Sequence, residues 1–140
     1  MHYDDQNIFA KILRGDAPCI KVYEDDRTLA FMDIMPQSEG HVLVIPKEHA
    51  TDFLTLSAAA SHATLDTARK IALAQKQALD APGIFIAQMN GAAAGQTVPH
   101  YHIHVIPRHP DRPYHSHVSE MADSAQLQAT AEKIRAALGV

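Results

Sequence analysis

One cysteine, Cys19, is all the chain has, so no intrachain disulfide can form. Basic charge is scarce too. Twelve Lys and Arg against 16 Asp and Glu leave a net charge of −4, which offers no positive field to hold a polynucleotide backbone by counterion release. No window approaches the ~20 consecutive apolar residues that cross a bilayer, and the opening MHYDDQ is acidic where a secretory leader would be basic and then apolar. These absences point to a soluble protein of a reducing compartment, the cytoplasm, with neither a polynucleotide nor a membrane as partner. What is present is enough for a core: 140 residues, 46% of them hydrophobic, suit one domain. Neither an internal repeat nor a linker divides it.

Periodicity predicts eight elements. Ile8, Phe9, Ile12 and Leu13 recur at helical spacing after Asp4 or Asp5 as cap, and Gly15 stops the helix. IKVYE (20 to 24) and TLAFMD (28 to 33) read as a hairpin, and HVLVIP follows as a third strand. From Ser57 as cap to Leu79, a long alanine-rich helix places Leu65, Ala68, Ala72, Gln75 and Leu79 near one face. Pro82 and Gly83 end it, IFIAQM is a fourth strand, and the histidine-rich stretch from His100 is a fifth. Ser124 can cap a last helix with Leu127, Ala131, Ile134 and Leu138 on one side. Short turns between strands and few helices favour an α+β fold: a five-stranded, mostly antiparallel sheet carrying a short N-terminal helix, a long helix and a C-terminal helix. The segment PRHPDRPYHSH (107 to 117) fits a surface loop. Its His109, His115 and His117 suit at most weak, incidental metal binding.

Ten residues are histidine, and three of them alternate in HYHIHVIPR, residues 100 to 108. On a helix, His100 and His102 would lie about 200° apart. On a strand His100, His102 and His104 share a side, while Tyr101, Ile103 and Val105 face the other way into a core. A rise of ~3.3 Å per residue then spaces neighbouring histidines by roughly 6.6 Å and the outer pair by roughly 13 Å, too far to close on one ion. Three readings compete: a solvated face, a metal site helped by His41 or His49, and metal-free catalysis. On spacing alone the last two stand level. The preceding NGAAAGQT, residues 90 to 97, tilts the balance, because small residues let backbone N–H groups approach an oxyanion. It is not a Walker A loop: Gly91 and Gly95 are separated by three residues where four are needed, and Gln96 stands where lysine should be.

HYHIHVI, preceded by AGQTVP, resembles the signature of the histidine triad (HIT) family, His-φ-His-φ-His-φ-φ with φ apolar. NIFAKILRGDAP and YEDDRTLAFMDIMPQSEGHVLVIPKEH extend the similarity to its Hint-like branch, over residues 7 to about 108. The resemblance implies a single domain over 1–140, with 7–108 its core and 109–140 a loop plus the C-terminal helix. It implies a homodimeric nucleotidyl hydrolase or transferase that needs no metal or other cofactor and acts on a purine nucleoside phosphoramidate, an AMP-amine. Its runners-up are a dinucleoside polyphosphate hydrolase and a non-enzymatic nucleotide- or metal-binding module. By the same resemblance His102 is the nucleophile that becomes nucleotidylated. His104 sits by the phosphoryl oxygens, His100 orients the nucleophile, and His41 extends the row of imidazoles. Gln96 and Thr97 match positions near the phosphate, Asp33 the ribose ligand, and Ile8, Phe9, Ile12, Phe31 and Ile34 the slot for the base. Residues alone read Phe9, Ile12 and Phe31 as plain core and Asp33 as a turn cap before Pro36. Three departures stand out. The Cys-x-x-Cys with which some bacterial relatives bind structural zinc, together with histidines matching His49 and His100, is replaced by Asn7 and Ala10. Met89 stands at a substrate-contact position where the family often has Asn or Gln, leaving Asn90 or Gln88 to substitute. About 30 residues follow the triad where the compact Hint tail would be.

Overall fold

The structure is a computed structural model that describes residues 2–114 and 121–140. Its elements are helix α1 (Ile8–Leu13), strands β1 (Lys21–Glu24), β2 (Thr28–Met32) and β3 (Val42–Pro46), helix α2 (Ala58–Leu79), strand β4 (Gly83–Ala87), strand β5 (Ile103–Arg108) and helix α3 (Ser124–Leu138). A single 3₁₀ turn, Ala92–Ala94, interrupts the loop between β4 and β5. The sheet order is β1-β2-β3-β5-β4, and every pairing is antiparallel. The α+β architecture expected from the sequence is therefore the one observed. No helix among the described residues is long and apolar enough to cross a membrane.

Strand alternation divides the molecule into two layers. Ala30 and Met32 of β2, Val42 and Val44 of β3, and Ile103 and Val105 of β5 face a core closed by Ala68, Ile71 and Ala74 of α2 and Leu127, Ala131 and Ile134 of α3. Tyr101 joins them, as its parity with Ile103 and Val105 predicts. Leu29, Phe31, Leu43 and Ile45 point to the opposite face, where Phe9 of α1 covers them. His104 pairs with Leu43 across the ladder, which puts the histidines on this thinner α1 side.

Several boundaries differ from expectation for identifiable reasons. Asn7, not Asp4 or Asp5, caps α1, its Oδ1 accepting from the Ala10 N–H at 2.9 Å. Asp4 accepts from the Gln6 N–H instead, forming the turn before the helix. Gly15 ends α1 in the left-handed region (φ +84°), as its position suggests. Leu65 is exposed although the sequence places it on the buried face. The buried stripe runs through Thr64 and Thr67 instead, whose hydroxyls are satisfied by the Ala60 carbonyl (2.6 Å) and by Thr28 (2.7 Å). Asp80, left-handed at φ 51°, ends α2 before Pro82 and Gly83 are reached. Asp123 rather than Ser124 caps α3, accepting from the Gln126 N–H. The expected fifth strand from His100 begins only at Ile103, because the 98–100 segment bends and Pro99 has no N–H for the ladder. Of the tail histidines, His109 bonds the Leu79 carbonyl, and His115 and His117 lie outside the described residues.

Candidate functional site

The alternation of histidines survives even though only His104 belongs to β5. His100 and His102 are buried, His104 is partly so, and the rings of His102 and His104 lie 5.0 Å apart. Phe9 packs edge-on against both His102 (5.0 Å) and Phe31 (5.4 Å), so the base of the row is apolar. His41, buried just before β3, meets His104 with Nε2 and Nδ1 3.0 Å apart.

Hydrogen-bond partners assign the protons on these rings. A carbonyl can only accept, so His102 Nδ1, 2.7 Å from the His100 carbonyl, must carry its proton there, and its Nε2 keeps a free lone pair. His41 Nδ1 accepts from the Gln37 N–H at 3.0 Å, so the His41 proton is on Nε2, facing His104 Nδ1. That leaves His104 with its proton on Nε2, a buried atom with no partner among the described residues. A bare nucleophilic nitrogen and an unpaired donor thus stand side by side.

Burial is the first cause of every shift in ionisation here. It holds His100 and His104 down to about 4 and His41 to about 3, with neighbouring imidazoles adding to the effect on His41 and His104. His102 is lowered by burial too, its bond to the His100 carbonyl working the other way. All four are therefore neutral near pH 7, the form in which imidazole attacks an electrophile. Burial likewise raises Asp33 to about 6, opposed by the Met35 N–H on its Oδ1 at 2.8 Å.

Residues 14–111 match the model of the HIT domain family. The chain belongs to that family. It is 43% identical over 101 residues to the adenosine 5'-monophosphoramidase hnt1 of Schizosaccharomyces pombe, covering 72% of this chain and 73% of the relative. A crystal structure of a Hit-like protein from Bartonella henselae superposes with a TM-score of 0.91 at 43% identity, covering 98% of this chain and 99% of that one. A zinc-bound HIT protein from Mycobacterium smegmatis matches with a TM-score of 0.84 and 36% identity, covering 96% and 94%.

The structure gathers some of the residues singled out by sequence and separates others. His41, His102, His104, Phe9 and Phe31 cluster with Asp33, whose Oδ2 is 3.4 Å from His41 Nε2. Asp33 is the turn cap that residues alone suggest, its Oδ1 accepting from the Met35 N–H. Ile12 is partly buried beside Phe9, whereas Ile8 and Ile34 are exposed by 47% and 46% and are free to meet a ligand. Gln96 is a loop clamp: its Oε1 accepts from the Gly91 N–H, and its Nε2 donates to the carbonyls of Thr51 and Val98. Asn90 is engaged by Gln88 and the Phe53 N–H, and Thr97 is exposed. The expected cradle of loop N–H groups is smaller than the sequence suggests, because Gly91, Ala94, Gly95 and Gln96 donate within the loop itself. Sequence reasoning missed Tyr3, whose hydroxyl lies 2.6 Å from His100 Nδ1, and the Gln37 N–H. The signal for Tyr3 was one large ring in an otherwise polar opening.

A structural zinc does not fit the position used by the Cys-x-x-Cys relatives. Asn7 caps α1 there, Ala10 has no donor side chain, and both nitrogens of His100 are taken by Tyr3 and the Pro46 carbonyl. Among the described residues, Asp33, His41 and His104 are the group of three whose donor atoms lie within 4.8 Å of one another. His41 Nε2 already bonds His104 Nδ1 at 3.0 Å and lies 3.4 Å from Asp33 Oδ2.

Proposed function

We propose that the protein is a nucleotide hydrolase that cleaves a purine nucleoside phosphoramidate, AMP joined to an amine, through a nucleotidyl-histidine. The observation that carries this reading is the pairing of tautomers: an unprotonated His102 Nε2 beside an unpartnered His104 Nε2–H. Likeness to the monophosphoramidase of fission yeast supports the substrate class. His102 Nε2 attacks the α-phosphorus and the P–N bond to the amine breaks, the departing nitrogen taking a proton from solvent water while the His104 Nε2–H donates a hydrogen bond to a phosphoryl oxygen. Water then attacks the nucleotidyl group on His102, gives up a proton to solvent and releases AMP, leaving His102 as the neutral imidazole it began as. His41 steadies the proton on His104, and Asp33 accepts from ribose hydroxyls. Phe9, Ile12 and Phe31, with the exposed Ile8 and Ile34, offer an apolar bed for the base. His100 orients His102 through its carbonyl, while Gln96, Thr97 and Asn90 shape the loop over the phosphate.

We further propose a cytoplasmic homodimer. β4 is an edge strand whose Phe85 and Ile86 are exposed by 45% and 52%, a liability that pairing with a second copy removes. The deciding experiment is turnover of an AMP-amine and a diadenosine polyphosphate side by side, with and without chelator. The expected result is faster cleavage of the AMP-amine at a rate that the chelator leaves unchanged. Faster cleavage of the dinucleotide would assign the runner-up substrate, activity lost to chelator and restored by zinc would overturn the metal-free route, and no turnover with tight nucleotide binding would make the protein a binding module.

A further inference from the structure

The nucleophile stands on a segment that the sheet does not hold. Pairing of β5 with β3 begins at Ile103, so His100, Tyr101 and His102 must be fixed by other bonds. Three are present. The Tyr101 N–H donates to the Ala50 carbonyl (2.8 Å), His100 Nε2 lies 2.9 Å from the Pro46 carbonyl, and the Tyr3 hydroxyl lies 2.6 Å from His100 Nδ1. The Pro46 carbonyl can only accept, which places the His100 proton on Nε2 and leaves Nδ1 bare. Tyr3 must therefore be the donor. Its oxygen in turn accepts from Asn7 Nδ2 at 2.9 Å, and its ring stacks on His49 at 4.7 Å and 15°. Asn7 is itself locked by capping α1. His100 has no exposed surface, so without Tyr3 its Nδ1 would be a buried acceptor with no partner.

We propose that Tyr3 is a positioning residue for the reaction: by donating to His100 it fixes the carbonyl that keeps His102 in the Nδ1–H tautomer with Nε2 free. This inference rests on His102 being the nucleophile. The contacts run from Asn7 through the Tyr3 hydroxyl to the His100 ring, and from the His100 carbonyl at 2.7 Å to His102. The opening residues of the chain thereby belong to the catalytic apparatus without touching substrate.

Tyr3→Phe keeps the ring and removes the hydroxyl that donates to His100 and accepts from Asn7, whose Nδ2 retains its bond to the Asp4 carbonyl. On an AMP-amine its kcat should fall at least about tenfold while KM stays within about twofold, a barrier change of ~1.4 kcal/mol in the chemical step alone. Long-range proton–nitrogen correlation spectra of the ligand-free variant should show His102 passing from one tautomer to a mixture. A kcat within twofold of the parent, or a His102 tautomer unchanged by the substitution, would overturn the proposal. In the parent protein the Tyr3 hydroxyl proton should exchange slowly and show a through-space contact to the His100 ring; its absence overturns the proposal however the variant behaves. Should the parent turn over no AMP-amine, the functional reading fails by itself. The tautomer spectra, recorded without substrate, still decide the role of Tyr3.

Discussion

Acidification from pH 7 to pH 5 should strip much of this protein's stability, because the site buries neutral imidazoles that the unfolded chain would protonate. His41, His100 and His104 are held at about 3, 4 and 4 in the fold, against about 6.5 when unfolded. A depressed folded pKa contributes stability that is complete above the unfolded value and is lost as pH falls towards the folded one. The window therefore opens at about 6.5 and runs to about 4 for His100 and His104 and to about 3 for His41. Asp33 works in the opposite sense. Raised to about 6, it takes up a proton in the fold before it would in the unfolded chain, at about 3.9, and so stabilises on acidification. Near pH 5 the unfolded state binds about two more protons than the fold, a slope of about 2.7 kcal/mol per pH unit. Integrated from pH 7 to 5 the loss is on the order of 4 kcal/mol, against a total of about 5–15 kcal/mol for a typical domain. Urea unfolding at half-unit pH steps measures it, and His104→Asn should flatten the slope by removing one of the three groups. A free energy of unfolding that changes by less than about 1 kcal/mol over that range would refute the burial of these rings as neutral groups.

Three further outcomes test the site. His102→Ala should abolish nearly all turnover and the covalent adduct seen by rapid-quench mass spectrometry, while still binding nucleotide; a rate within about tenfold of the parent, only ~1.4 kcal/mol, would remove it as nucleophile. Asp33→Ala should weaken nucleotide binding by roughly 1.5–3 kcal/mol and erase any preference over the 2′-deoxy nucleotide, read by calorimetry. An unchanged preference would leave Asp33 with only its role as cap of the Met35 turn. Gln96→Ala removes three hydrogen bonds that close the 91–98 loop, and should cost about 1–3 kcal/mol in thermal or urea denaturation. A loss confined to activity would show that the amide meets substrate instead.

The sequence by itself determined the strand alternation, the helix periods and the small set of residues in which chemistry was worth seeking. TLAFM and VLVIP are near-continuous apolar runs, which suit strands covered on both faces, and every one of their residues is buried. The alternating histidines had to share a side once the chain ran extended. Local patterning did not decide where ladder pairing starts, which of several Asp, Asn and Ser residues caps a helix, or that threonines rather than Leu65 line the buried face of α2. Those outcomes depend on which polar groups find partners after the layers close. The same holds for the chemistry of the row. The tautomers of His41, His100, His102 and His104 are set by Gln37, Tyr3, Pro46 and the His100 carbonyl. Apart from that carbonyl and the nearby Gln37, these partners are remote in sequence, Tyr3 by 97 residues and Pro46 by 54. A proton's place on a ring is a property of what surrounds it, and only the tertiary structure brings those surroundings together.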